Sequence, residues 1–344
     1  MTNIVRMPLA GFRSAVFLWA LTISASGSAA DYQFAALPLV VDEASGLTAS
    51  LRHPGVYWTH DDNINLPASS RRSDPLLFAI DGQGNLKSTL NLAPVRQRDW
   101  EAITSGEIDG QPTLIVGDIG DNRNSWPDYR LWFVPEPAVL GGTQNADPTA
   151  LIRFRYPDQV PAPKRQGGWS GGHDAESLVL DSQDRQLLLL TKREHPARFF
   201  TIPLSARHPV TNGERLSVQD RHTPVVTARF IGFLPTLPAP DLLAWLFHPV
   251  VGAYADQPTD MTLSDDGRLL AVLTYGAVYF FERKPGMDWQ GALAKPVDSI
   301  GLPLIDQWEG ISFSRDQRQL LIVREGTGER TLMRLDVPTT LRAR

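Results

Sequence analysis

Five short segments of this chain repeat one another, and a repeat recurring at roughly 50 residues admits few folds. They read Glu43-Ala44-Ser45-Gly46-Leu47, Asp99-Trp100-Glu101-Ala102-Ile103, Asp174-Ala175-Glu176-Ser177-Leu178, Thr259-Asp260-Met261-Thr262-Leu263 and Gln307-Trp308-Glu309-Gly310-Ile311. One column is read as acidic, with Glu101, Glu176, Asp260 and Glu309 in four copies and Ser45 in the first. A second column, two residues earlier, holds Glu43, Asp99 and Asp174.

Each copy is followed by the same plan. A turn rich in Asp and Gly, such as Ser264-Asp265-Asp266-Gly267-Arg268, leads into an apolar run such as Leu187 to Leu190 or Leu320 to Val323. Asp and Gly supply the side-chain-to-backbone bonds and positive φ of tight hairpins, and short apolar runs between turn signals are strands. A third strand and a weaker fourth follow, as in Tyr129 to Val134 and Leu151 to Tyr156. Repeated units of four antiparallel strands define an all-β fold, the β-propeller. At about 50 residues per blade, the roughly 310 residues after the leader point to six blades, with five or seven as alternatives. The sixth would be a degenerate blade between Glu176 and Asp260, using Val225 to Phe233. The segment Tyr32 to Val41 is expected to complete the last blade and close the ring, hiding sheet edges. Asp241 would cap a short helix over 241–247.

Residues 1–30 have the pattern of a secretory signal peptide. Arg6 and Arg13 precede an apolar run from Ala15 to Ile23, and Ser28-Ala29-Ala30 forms a small-residue cleavage site. Residues 31–344 are then one propeller domain, periplasmic or secreted and monomeric, with no transmembrane segment after cleavage. The chain has no cysteine, which excludes disulfides and thiolate zinc sites. Its net charge of −5, with Lys and Arg scattered, gives no basic patch for nucleic acid.

The run Asp99-Trp100-Glu101-Ala102-Ile103 followed by Val116-Gly117-Asp118-Ile119-Gly120-Asp121-Asn122 resembles a pattern in exported bacterial six-bladed propellers of poorly known function. Those are similar in turn to the phytase-like propellers. Leu263-Ser264-Asp265-Asp266-Gly267-Arg268-Leu269-Leu270 resembles the hairpin of TolB-like and WD40-like repeats. The phytase-like resemblance implies central carboxylates that hold calcium and bind phosphate.

Propeller topology places the chemistry. The start of each first strand and the end of each second strand lie on one face, because the two are antiparallel. The acidic motifs should therefore share a channel mouth with His60, Asp118, Lys192, Arg193, Tyr275 and Arg324. Converging carboxylates repel unless a cation, a basic partner or a proton intervenes. Hard oxygen donors favour calcium, with Glu43, Asp118, Glu176 and Asp260 as candidate ligands. Glu101 and Glu309 are the candidate catalytic acids; His60, Lys192, Arg193, Tyr275 and Arg324 are candidate substrate contacts. The expected function is a calcium-dependent hydrolase of phosphoesters or lactones acting on a small anionic molecule. The alternative is a non-enzymatic propeller that binds a ligand or an envelope protein. Asp118 and Asp121 have a structural alternative too, shaping a tight loop with Gly117, Gly120 and Asn122.

Overall fold

Four-stranded antiparallel sheets follow one another along the chain, as the repeat predicts. The computed structural model describes residues 32–62, 75–92, 95–161, 169–210, 222–237, 256–303, 307–325 and 330–342. The predicted leader and the predicted helix at 241–247 lie outside them. Blade 1 runs through Ala44–Ala49, Val56–Asp61, Leu76–Asp81 and Leu86–Asn91. Blade 2 uses Trp100–Ile108, Gln111–Asp118, Tyr129–Pro135 and Ala150–Arg155. Blade 3 uses Ala175–Asp181, Gln186–Thr191, Arg198–Pro203 and Arg229–Phe233. Blade 4 uses Pro258–Leu263, Leu269–Thr274, Ala277–Glu282 and Asp298–Gly301. Blade 5 uses Trp308–Phe313, Gln319–Arg324 and Thr331–Asp336, and Gln33–Ala36 from the N-terminal side adds its fourth strand. That last pairing joins Gln33 to Arg334 and Ala36 to Thr331, and is the predicted closure.

The ring has five blades, not the expected six. The first strands pack in cyclic order, blade 1 on 2, 2 on 3, 3 on 4, 4 on 5 and 5 back on 1. The segment assigned to a sixth blade is divided between two others. Arg229–Phe233 is the outer strand of blade 3, whereas Val225–Thr227 runs parallel to the outer strand of blade 2. Between the third and fourth strands of blade 2, Thr143–Asn145 also leaves its own blade and extends blade 1 in parallel. Among the described residues no helix is long and apolar enough to cross a membrane.

Hydrophobic burial holds the ring through one layer per blade interface. The run Leu187 to Leu190 shows how the layers arise. Alternate side chains of a strand leave opposite faces, so Leu187 and Leu189 join the layer against blade 2 while Leu188 and Leu190 join that against blade 4. Trp100 and Trp308, both fully buried, wedge between blades 1 and 2 and between blades 4 and 5.

Near its start, each first strand carries a β-bulge, which leaves one residue unpaired: Gly46, Glu101, Glu176, Thr259 and Glu309. This register corrects the column read from the sequence. Blade 1 places Gly46, not Ser45, opposite the glutamates, and blade 4 places Thr259, not Asp260. A shift of one residue sends a side chain to the other face. Gly46 adopts φ +67°, the conformation for which glycine is favoured at a bulge. A Cβ there would lie 2.9 Å from the Ile103 amide nitrogen. Gly46→Ala should therefore cost about 1–3 kcal/mol of stability, read as a lower urea midpoint at unchanged m-value.

Candidate functional site

Three bulge positions bring glutamates to one place near the ring axis. Lys192, just beyond the second strand of blade 3, sits among them. Its ammonium contacts Glu176 and lies 3.6 Å from Glu309. It also lies 5.3 Å from the centre of the Tyr275 ring, in cation–π range. Tyr275 donates its hydroxyl hydrogen to Glu309 Oε1 at 2.8 Å. Ser45 donates to Glu101 Oε2 at 3.3 Å, which ties blade 1 to the same cluster. All of these side chains are buried with only their edges reaching solvent: Glu101 is 5 % exposed and Lys192 7 %.

Burial and crowding of like charges set the protonation states. Burial, and then the neighbouring Glu176, Asp99, Asp62 and Asp174, hold the Glu101 carboxyl far above the usual carboxylate range. Glu309 is also held high, by burial against the opposing pull of Lys192. Glu176 is pushed up by burial but restrained by Lys192, and settles at about 7. Burial alone would lower Lys192; Glu176, Glu309, Tyr275 and Glu101 overcome it and keep the ammonium charged. The cluster thus places a proton-holding acid, a carboxylate near neutrality and a fixed cation side by side.

The second acidic column forms the flank of this cluster. Asp99 is raised to about 8 by burial and by Asp174, Asp62, Asp118 and Glu176. Its Oδ1 is buried and accepts no hydrogen bond. Glu43 is raised to about 7 by burial, Asp62 and Glu325, and its Oε2 is similarly unpartnered. Gly120 closes over these acids. A Cβ on it would lie 2.6 Å from Asp99 Cγ and 2.7 Å from Glu101 Cγ. Asp174 accepts from the Asp121 amide at 2.7 Å and pairs with Arg193 Nε at 2.5 Å.

Other predicted site residues are committed elsewhere. Asp118 accepts from the Asp99 amide at 2.8 Å and from Arg98 Nε at 2.9 Å. Asp121 accepts from the Ser125 amide at 2.6 Å and from the Tyr129 hydroxyl at 3.1 Å, which is the loop-shaping alternative. Asp260 accepts from the Ile311 amide at 2.7 Å and the Met261 amide at 2.8 Å, and so fastens blade 4 to blade 5. His60 has no exposed surface; it lies edge-on to Trp100, and burial lowers it to about 4, so it is neutral. Arg324 is half-buried at the end of the second strand of blade 5. His173 is buried between Glu194 and Asp158 on blade 3.

Of the expected calcium ligands Glu43, Asp118, Glu176 and Asp260, three are committed to other partners. Asp118 and Asp260 give their oxygens to amides and Arg98, and Glu176 gives one to Lys192. Among the described residues no three His, Asp or Glu side chains are grouped to hold an ion. The opposite mouth of the ring contains a cavity of about 220 Å³, lined by Thr48, Ser105, Thr104, Ser182, Thr262 and Ser312 among others. None of the clustered acids lines it.

No protein-family model matches the chain. Comparison with curated proteins finds no match either. Among solved structures, the chain is similar to a luciferin-regenerating enzyme at 8% identity and TM-score 0.42, covering 90% of this chain and 96% of that one. It is similar to a candidate 6-phosphogluconolactonase from Bacteroides uniformis at 11% identity and TM-score 0.34, covering 85% and 67%. It is also similar to the Dos1 propeller at 10% identity and TM-score 0.34, covering 82% and 53%. Likeness at this level says nothing about activity. The class is defined by the chain itself: a β-propeller with an acid-lined axis.

The raised acids fix the sign of the pH dependence. Their folded-state values lie above the ordinary carboxylate range near 4, so the folded chain binds protons that the unfolded chain releases. Stability then falls as pH rises from about 4 to 8. Calorimetric melting at pH 5, 6, 7 and 8 should give a declining midpoint, and Asp99→Asn should flatten the upper part of that decline.

Proposed function

We propose that this propeller is a hydrolase of compact carboxylic esters or lactones, working without a bound metal at the mouth where Glu101, Glu176 and Lys192 meet. One observation carries the reading: a buried ammonium is held between two glutamates beside a third that keeps its proton. Glu176, near neutrality, is matched to accept a proton from water at ordinary pH. The water oxygen attacks the carbonyl carbon. The Lys192 ammonium, supported by Tyr275 and Glu309, stabilises the oxyanion in a site of low dielectric. Glu101 gives its proton to the departing alkoxide as the C–O bond breaks, and proton exchange with solvent restores both glutamates. The surplus of acids repels a phosphomonoester dianion, so an uncharged carbonyl centre suits this mouth better than a phosphoester.

A panel of γ- and δ-lactones, aryl acetates and phosphomonoesters tests the reading. Wild-type chain should turn over a lactone or acetate in the presence of EDTA. Glu101→Gln and Lys192→Met should each lower kcat/KM by a factor of about 100 or more, in the range of general acid–base and oxyanion losses. Absence of turnover across the panel, or full activity of both variants, would remove it.

A further inference from the structure

We infer that the ligand of this mouth carries a protonated amine, which Asp99 and Glu101 receive beside Lys192. The inference takes the mouth to be the substrate site, as the hydrolase reading does, and narrows the substrate to an amine-bearing ester or lactone.

Two observations converge. First, the cations at this mouth are already engaged: Lys192 with Glu176 and Glu309, and Arg193 with Asp174 and Asn122. Second, Asp99 is 2 % exposed and its Oδ1 has no hydrogen-bond partner. Asp99 and Glu101 face the same acids, Asp174, Asp62 and Glu176. A buried carboxylate oxygen without a donor costs about 1–3 kcal/mol or more, and like charges around it add to that.

The chain itself shows which group suits such acids. Next to this pair, an ammonium already satisfies Glu176 and Glu309 while resting over an aromatic ring. A second ammonium can offer three N–H donors to Asp99 Oδ1 and Glu101 in the same manner. A calcium ion would take six to eight oxygens, and Asp118, Asp260 and Glu176, expected among them, give oxygens to amides, Arg98 and Lys192.

The test is calorimetric titration of the full chain at pH 7.5 with n-propylammonium chloride, with 1-propanol as neutral isostere, and with calcium chloride. Saturable binding of propylammonium but not propanol is expected. Asp99→Asn and Asp99→Ala should each weaken it at least tenfold, while Asp99→Asn melts no lower than wild type. No saturable propylammonium binding, equal binding by wild type and both variants, or calcium displacing propylammonium would overturn the inference. Binding is read here without turnover, so a catalytically inert chain that binds the amine would leave this inference standing and remove only the hydrolase reading.

Discussion

The first strands of neighbouring blades lie side by side around the axis without a hydrogen-bonded ladder between them. Strand edges inside a blade are satisfied by pairing, but here the inward backbone groups need other partners. Side chains from the next blade supply them. Asp260 takes the Ile311 amide, Thr259 donates to the Trp308 carbonyl at 2.6 Å, and Asp174 takes the Asp121 amide. Short polar residues at the axis are thus a requirement of the ring before they are a resource for chemistry. The small residues of the motif follow from the same crowding, because a Cβ on Gly310 would lie 2.7 Å from the Gly46 carbonyl carbon.

Glu101, Glu176 and Glu309 differ from these fasteners because their carboxyls gather at one place, two of them on the Lys192 ammonium. Packing three carboxyls so tightly is tolerable only with protons or a cation between them. The chain uses both, a proton on Glu101 and the ammonium of Lys192. Proton affinity and fixed positive charge in one dry location are the ingredients of acyl-group hydrolysis, whereas the fold alone would suit many tasks.

Much of the architecture was legible because the motif recurs with its hairpin and its apolar second strand. The closing role of Tyr32 to Val41 and the shared mouth of acids and Lys192 could both be read from spacing. Three features could not. The bulge is a property of register, so Ser45 and Asp260 were aligned with glutamates from which they are one residue displaced. The sixth blade was a count of residues, and its expected strands, Val225 to Phe233, lie instead beside blade 2 and at the outer edge of blade 3. Asp118 and Asp121 have the same side chain as a metal ligand; only their geometry shows that Arg98 and loop amides use them.

Blade 5 is assembled from both ends of the described chain, with Gln33 opposite Arg334. Contacts this distant in sequence form late and slowly. Until they form, the strand Thr331–Asp336 presents an open edge, and Gln33–Ala36 of a second molecule matches it as well as its own does. At high concentration the favoured error of this protein is therefore reciprocal strand exchange, a dimer in which each ring is clasped by the other's arm.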